Sequence, residues 1–141
     1  MTDVRRVTPG QDALVMAAAE LFDQPLREDV TRQLLERDGH HLLLAFDDER
    51  AVGFVTGVEM THPDKGTEMF LYELGVAEDS RHRGVGRSLV AALADLARER
   101  GCYGMWVLTE DDNPAALKAY EAAGGKQEAL TRMLSWDWRE R

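Results

Sequence analysis

A strand-like run that passes directly into a glycine-rich loop and then into a long amphipathic helix is the feature that most constrains this chain. The run MFLYELGV, residues 69–76, is almost unbroken in apolar character, which is typical of a strand covered on both faces of a sheet. The loop RHRGVG, residues 81–86, follows it, and residues 86–101 then repeat apolar side chains at helical spacing. This order predicts an α/β sheet in which the loop lies at the end of a buried strand.

The remaining segments predict further strands and helices within one domain over residues 1–141. A length of 141 residues suits a single globular domain with a buried core. The predicted element order is β-α-α-β-β-β-α-β-α-β, with a polar loop at residues 61–68. The predicted strands are residues 4–7, 40–47, 51–60, 69–76, 102–109 and 130–138, and the predicted helices are residues 11–22, 27–37, 86–101 and 114–124.

Composition argues against several classes of protein. No run of about 18 apolar residues is present, so we expect no membrane span. The first ten residues lack the apolar core of a secretion signal, and we therefore expect a cytoplasmic protein. Cys102 is the only cysteine, which excludes an intrachain disulfide and a cysteine-cluster metal site. The four histidines show no metal-ligand spacing, and we expect no metal.

The chain is acidic, with a formal net charge of -9 from 17 basic and 26 acidic residues. A surface with this balance repels nucleic acid, because such binding depends on neutralising phosphates. We therefore expect no nucleic-acid and no membrane partner. Carboxylates that converge on a cleft would attract a small cationic partner. The alternative is that the charge serves solubility alone.

The loop before the long helix has the composition of an anion site. The first turn of a helix carries unpaired N–H groups and about half a positive charge, and it binds anions where the chain allows close approach. Gly84 and Gly86 remove side chains that would block such an approach. Arg83, Arg87 and Ser88 would donate to phosphate oxygens. The alternative is a plain tight turn.

A second motif covers residues 113–124, where an asparagine precedes a helix that carries a tyrosine. Asn113 and Tyr120 are seven residues apart, close to two helical turns, so they share roughly one face, with Ala116 between them. Asn113 alternatively acts only as the helix cap. Tyr120 alternatively is a half-buried aromatic residue on an amphipathic helix.

Together, Arg81-x-x-Gly84-x-Gly86 and the run from Asn113 to Gly124 resemble the two signatures of the GNAT acetyltransferases, and the resemblance covers nearly the whole chain. It implies a single-domain α/β fold with a mixed, mostly antiparallel sheet, flanking helices and a splayed central strand pair. It also implies acetyl-coenzyme A as cosubstrate, with its pantetheine arm along the strand and its pyrophosphate in the loop. The implied coenzyme-binding residues are Leu74, Gly75, Val76, Arg81, Arg83, Gly84, Val85, Gly86, Arg87, Ser88, Asn113, Ala116 and Tyr120.

Amide formation from a thioester needs a base for the amine and an acid for the leaving thiolate. The resemblance implies Tyr120 as the acid. Glu73 is the candidate base, because a charge inside a buried strand is costly unless it is used or paired; a structural ion pair is the alternative. Strand alternation predicts that Glu73 lies with Leu71 and Gly75, on the face opposite Phe70, Tyr72 and Leu74.

Glu110, Asp111 and Asp112 follow the next predicted strand, at the strand end where ligands gather in open sheets. Glu110 is a second candidate catalytic carboxylate, and all three are candidates for binding a cationic amine. The alternative is a charged loop whose acids the helix dipole favours.

Four segments further resemble the type I aminoglycoside 3-N-acetyltransferases: FLYELGV, ELFDQP, EDD and MLSWDW. The resemblance implies that the pairs Tyr72–Glu73 and Trp136–Asp137 contact the substrate, together with Glu110, Asp111 and Asp112. The loop THPDKGTE and the Asn-Pro-Ala form of the second motif depart from that subfamily.

A polycationic aminoglycoside would be attracted by such carboxylates. Two other interpretations stay open. One is a GNAT enzyme that acetylates a polyamine, an amino acid or a protein terminus. The other is an acyl-coenzyme A sensor without catalysis. The resemblance also makes a homodimer, formed through the last strands, an expectation.

Overall fold

In the computed structural model, the structure is described for residues 2–109, 112–128 and 130–139. The strands are β1 Thr2–Arg6, β2 His40–Asp47, β3 Arg50–His62, β4 Gly66–Val76 and β5 Met105–Trp106. The helices are α1 Asp12–Met16, α2 Glu28–Glu36, α3 Val85–Glu99 and α4 Pro114–Ala122, and 3₁₀ turns lie at Ala19–Leu21 and Glu78–Ser80.

The five strands form one sheet in the order β1-β2-β3-β4-β5. The first four pair antiparallel with their neighbours, and β5 pairs parallel with β4. Helix α3 packs on one face of the sheet, while α1, α2 and the first 3₁₀ turn pack on the other. The predicted fold class, a mixed and mostly antiparallel sheet flanked by helices, is confirmed.

Helix α3 lies close to the sheet because β3 carries glycines beneath it. A Cβ atom at Gly53 would lie 2.9 Å from Cδ1 of Leu89, and one at Gly57 would lie 2.9 Å from Cδ1 of Leu93. Both leucines are fully buried. The two glycines therefore let α3 pack close against β3.

A β-bulge interrupts the β3–β4 ladder beside the predicted base. Thr56 pairs with Glu73 and Gly57 pairs with Leu71, so Tyr72 is an extra residue on β4. The predicted alternation is therefore wrong beyond this point. Leu71 and Leu74 both pack in the α3 core, whereas simple alternation places them on opposite faces.

β4 and β5 separate after a short contact. Their ladder consists of Met69 with Met105 and Phe70 with Trp106. Among the described residues, β4 has no ladder partner on the β5 side from Leu71 onward, which confirms the splayed strand pair. The predicted strand 102–109 is correspondingly too long, because its chain turns away from β4 after Trp106.

Two more predictions are wrong. The predicted helix 11–22 is instead α1, which ends at Met16, followed by a 3₁₀ turn; Phe22 then adopts an extended backbone and stacks on Phe54 with ring centroids 4.1 Å apart. The predicted loop 61–68 instead extends the β3–β4 hairpin. Near the turn of this hairpin, Thr61 pairs with Thr67 across the two strands, and their hydroxyl groups are hydrogen-bonded at 2.9 Å.

The predicted last strand is also wrong, since residues 130–138 form no regular element. A strand needs a hydrogen-bonding neighbour, and none of the described strands pairs with this segment. Its large apolar side chains are exposed instead: Leu130, Met133, Leu134, Trp136 and Trp138.

Candidate active site

The loop between β4 and α3 is shaped by two left-handed backbone positions. His82 has φ of 64° and Gly84 has φ of 82°. Gly84 is the N-cap residue of α3, and a Cβ there would meet nothing within 4 Å, so glycine is favoured at this position by conformation. The Arg81 Nε atom donates to the carbonyl oxygen of Val76 at 3.3 Å and ties the loop to the end of β4.

The first turn of α3 carries backbone donors that no described side chain caps. The earliest helical hydrogen bond here runs from the Ser88 amide to the Gly84 carbonyl, at 3.0 Å. The N–H groups of residues 85–87 precede it and are therefore suited to an anion. Arg83, Arg87 and Ser88 are exposed around them, as an anion site requires.

Gly86 lies where α3, α4 and the end of β4 come together. Its Cβ would lie 3.3 Å from Cβ of Ala119 and 3.8 Å from side-chain atoms of Leu74 and Val76. The absent side chain therefore lets α4 approach α3 and the end of β4. The site is assembled at this point, where the loop, the unpaired part of β4 and α4 meet.

Helix α4 brings Tyr120 to the same place. Tyr120 follows Ala119 and packs, half-buried, against the α3 core. Desolvation raises the pKa of its phenol, which keeps the hydroxyl protonated as an acid requires. Asn113 acts as the N-cap, because its Oδ1 accepts from the Ala116 amide at 3.2 Å. The helix ends before Gly124, whose φ is 103°.

Glu73 lies beside the bulge on the face of the sheet opposite α3. Its amide N–H donates to the side-chain Oγ1 of Thr56 at 3.1 Å. Desolvation, and secondarily the charge of Asp23, raise the pKa of the Glu73 carboxyl above its ordinary value. Among the described residues no basic side chain pairs with Glu73, so the structural ion pair considered as an alternative is absent.

Asp23 is a member of this site that sequence reasoning did not assign. It follows Phe22, whose ring stacks on Phe54. Phe54 in turn lies against Gly75, where a Cβ would be 2.4 Å from the ring atom Cε1. The segment after the first 3₁₀ turn is thereby held beside β4. The one signal in the sequence was the position of Asp23 within ELFDQP.

Tyr72, the extra residue of the bulge, opens onto an aromatic groove. Its ring lies 5.7 Å from that of Phe70, and Phe70 lies 4.4 Å from Trp106, measured between centroids. An open groove of about 630 Å³ separates Tyr72 from residues 135–139. Trp136 and Asp137 line it, and the carboxylate of Asp137 pairs with Arg139 at 2.6 Å, which lowers the pKa of Asp137. The groove thus joins Tyr72 to the predicted pair Trp136–Asp137, while Glu73 is not among the residues that line it.

The acidic loop is only partly described. Asp112 is exposed directly before α4. Glu110 and Asp111, predicted to contact the substrate, lie outside the described residues. Within the described ranges, no three histidine, cysteine or acidic side chains form a metal-binding group. No helix in those same ranges has the length and apolar character needed to cross a membrane.

Chemically, this arrangement offers the uncapped start of α3, the unpaired edge of β4, the protonated phenol of Tyr120 and, on the other face of β4, the Glu73 carboxyl of raised pKa. Such a set of groups suits proton removal from an amine and proton delivery to a leaving group.

Two curated proteins of similar sequence are N-acetyltransferases. The chain is 32% identical over 99 residues to a probable N-acetyltransferase camello of Xenopus laevis, covering 70% of this chain and 44% of that protein. It is 32% identical over 92 residues to a ribosomal protein bS18 alanine N-acetyltransferase of Salmonella typhimurium, covering 65% of this chain and 58% of that protein. The chain spans less than half the length of the first curated relatives that it matches.

Solved structures share the fold. One is an aminoglycoside acetyltransferase, meta-AAC0020, from an uncultured soil metagenomic sample in complex with sisomicin, with a TM-score of 0.89 and 15% identity over 98% of this chain and 97% of that one. Another is the aminoglycoside N-acetyltransferase AAC(6')-Iy in complex with CoA, with a TM-score of 0.79 and 21% identity over 96% and 95%. At these identities the likeness concerns the fold alone. Residues 11–124 match the acetyltransferase (GNAT) family, and the chain therefore belongs to that family.

Proposed function

We propose that this chain transfers an acetyl group from acetyl-coenzyme A to a primary amine of a small cationic molecule, and that this molecule is an aminoglycoside. The observation that carries the proposal is the meeting of three elements at Gly86: the uncapped start of α3, the unpaired edge of β4, and α4 with Tyr120.

The residues present fit coenzyme A. Its diphosphate suits the amides of residues 85–87 together with Arg83, Arg87 and Ser88. Its pantetheine arm contains amides, which suit the backbone of Leu74, Gly75 and Val76, where β5 has turned away. The nitrogen of the Asn113 amide is a donor on the same side of α4, since only its oxygen is used by the cap. Ala116 and Tyr120 continue this face.

The proposed chemistry is redox-neutral and needs three proton transfers. Glu73 accepts a proton from the ammonium group of the substrate, and the free nitrogen attacks the thioester carbonyl. A C–N bond forms, the C–S bond breaks, Tyr120 donates a proton to the departing sulfur, and the second proton lost by the nitrogen restores the Tyr120 hydroxyl. A raised pKa suits Glu73 to the first step, because a base acts best when its pKa is close to the working pH.

The groove supports a polycationic sugar as acceptor. Tyr72 and Trp136 offer aromatic faces, and Asp137 lines the groove in an ion pair with Arg139. Glu73 and Asp112 add negative charge from outside this lining in our proposal. Glu110 and Asp111 are part of this proposal from the sequence alone. Structural neighbours are named as aminoglycoside acetyltransferases, one of them as a 6'-enzyme. The sequence resemblance favours the 3-amino group, and we propose that position.

The experiment is a rate assay with acetyl-coenzyme A, a thiol reagent and a panel of aminoglycosides, with NMR of the product. The proposal expects acetylation of the 3-amino group of sisomicin or gentamicin. It also expects the Michaelis constant to rise with ionic strength, because charge holds the substrate. Product acetylated only at the 6'-amino group would overturn the position. No acetylated aminoglycoside would overturn the substrate class.

A second candidate acceptor is the N-terminus of a protein. The relative from Salmonella typhimurium is named as an enzyme that acetylates an alanine of a ribosomal protein. The groove beside β4 is open, as a peptide would require. Including peptides with free N-terminal alanine in the same assay separates the two candidates by their kcat/KM values.

We also propose a homodimer formed by residues 130–138. Five large side chains of this segment are exposed, with Leu130 at 100% and Trp138 at 86%. At roughly 150–250 Å² for each aromatic residue, Trp136 and Trp138 alone offer a large part of the ~800 Å² that each partner buries in an ordinary interface. Analytical ultracentrifugation tests this: the double substitution Met133→Lys and Leu134→Lys should yield monomer, whereas Val30→Lys on α2 should not. A monomeric unmodified chain would contradict the proposal.

A further inference from the structure

We propose that Thr56 is a positioning residue for acetyl transfer, and that its hydroxyl holds the β4 bulge in the geometry that presents Glu73 to the acceptor amine. This inference rests on the proposed function of Glu73. It concerns a buried side chain of β3 that the coenzyme and acceptor sites described above do not include.

The contact itself is specific. Thr56 stands opposite Glu73 at the point where the ladder register shifts. The Glu73 amide donates to the Thr56 Oγ1 atom at 3.1 Å, so a side-chain oxygen serves as its acceptor. Ladder bonding is disturbed where a bulge inserts a residue, and a buried N–H without an acceptor is costly. The hydroxyl therefore stabilises the bulged conformation of β4 directly at the candidate base.

The surroundings show that packing alone does not explain a threonine here. Thr56 is 5% exposed, and it lies in the run FVTGV, whose apolar residues form the sheet interior. Valine has the same shape and would fill the same space without a hydroxyl. The hydroxyl is thus the feature that distinguishes Thr56 from its apolar neighbours, and the Glu73 amide is its partner.

The bulge also determines where Glu73 and Tyr72 stand. Without the extra residue, alternation would place the two side chains on opposite faces of the sheet. With it, Tyr72 lies beside Phe70 while Glu73 stands opposite Thr56, on the face away from α3. A change in the bulge therefore changes the relation between the base and the acceptor groove, whereas the coenzyme loop begins at Arg81, eight residues after Glu73.

The test compares Thr56→Val with Thr56→Ser, and uses Thr61→Val as the matched control. Thr61 lies on the same hairpin and also loses a hydroxyl hydrogen bond, to Thr67. We expect Thr56→Val to lower kcat by about tenfold, the rate equivalent of one lost hydrogen bond, and to change the coenzyme A dissociation constant by less than kcat, because the loop that suits the diphosphate lies outside the bulge. Thr56→Ser should restore most of the rate, and Thr61→Val should leave it unchanged.

A double-mutant cycle shows whether Thr56 acts through Glu73. In a Glu73→Gln background, the further change Thr56→Val should alter kcat by less than twofold, because the group that it positions is already inactive. An unchanged tenfold loss in that background would overturn the inference. So would full activity of Thr56→Val on its own.

A measurement without turnover separates this inference from the proposed function. Hydrogen exchange of the Glu73 amide, followed by NMR, should be faster in Thr56→Val than in the unmodified chain and in Thr61→Val. Unchanged exchange would overturn the role of Thr56 even if the chain acetylates amines. If the unmodified chain acetylates no amine, the proposed function fails, while the exchange result still decides whether Thr56 holds the bulge.

Discussion

The Nε2 atom of His41 lies 2.6 Å from a carboxylate oxygen of Glu59, and this contact joins β2 to β3 inside the sheet. Nη2 of Arg6 lies 3.2 Å from Nδ1 of the same ring. Because arginine only donates, Nδ1 must accept and Nε2 must carry the hydrogen that reaches Glu59. Arg100, at the end of α3, also pairs with Glu59 and reaches Asp38 at 3.1 Å. A neutral His41 is thus at the centre of a network that ties α3 to the sheet.

This network predicts a loss of stability in mild acid. Desolvation lowers the pKa of His41 below 6.5, although the hydrogen bond with Glu59 opposes this shift. The unfolded chain therefore binds a proton at higher pH than the folded chain. The contribution of neutral His41 to the free energy of unfolding is fully present above pH 6.5. It is lost as the pH falls from 6.5 towards the pKa of His41 in the folded chain, by at most ~1.4 kcal/mol per pH unit.

Urea unfolding between pH 8 and pH 5 measures this effect. Between pH 6.5 and pH 5, the free energy of unfolding should fall less steeply with pH in a His41→Asn variant, which has no titrating ring. The pKa of Glu59 is lowered, since hydrogen bonds from His41 and Arg100 outweigh desolvation, so its own contribution is lost only below pH 4.5. Equal slopes in the variant and the unmodified chain would contradict the prediction.

Gly75→Ala should destabilise the fold. Its Cβ would lie 2.4 Å from Cε1 of Phe54, a rigid ring already stacked on Phe22. Relieving that overlap must move the ring pair, and overpacking of this kind costs ~1–3 kcal/mol. Gly104→Ala is the control, since a Cβ there meets nothing within 4 Å. Thermal unfolding should show a clear decrease for Gly75→Ala and little change for Gly104→Ala.

Arg87→Ala should weaken coenzyme A binding by roughly three- to tenfold, because a charge-assisted hydrogen bond to phosphate is lost. Arg98→Ala at the other end of α3 removes the same side chain far from the anion site, where Arg98 pairs with Asp95. Isothermal titration at low salt compares the two. Equal affinities of the two variants would show that the first turn of α3 does not hold the diphosphate.

Asp23→Asn should move the acid limb of the pH profile, in which kcat/KM falls as the solution becomes more acidic, to lower pH. Desolvation is the main reason that the pKa of Glu73 is raised, and the charge of Asp23 adds to it. Removing that charge lowers the pKa of Glu73, so the base stays ionised in more acidic solution. An acid limb that does not move in Asp23→Asn would contradict the placement of Asp23 close to Glu73.

Glu73→Gln should lower kcat by about 10²–10⁴-fold in the same assay, because the variant cannot accept a proton from the amine.

The sequence predicted those parts of the fold that depend on short-range patterns. Helix α3 follows the 3.6-residue repeat and begins and ends within two residues of expectation, and Gly124 follows α4 as expected for a helix stop. The strand–loop–helix order was sufficient to place the loop at the end of β4.

What the sequence did not predict depends on long-range contacts. The bulge at Tyr72 reverses the faces of Leu74 and Gly75, and no local pattern marks an extra residue in one strand of a pair. Phe22, predicted to end a helix, is extended and stacks on Phe54, which is distant in sequence. The alternating segment 130–138 has the composition of a strand, but strand formation depends on a neighbouring strand to pair with.

The most direct measurement of the central claim is isothermal titration of the purified chain with coenzyme A. We predict saturable binding of one molecule per chain, weakened by Arg87→Ala and by added salt. Absence of any binding heat over a range of temperatures, with no protection of the α3 amides in hydrogen exchange, would contradict it.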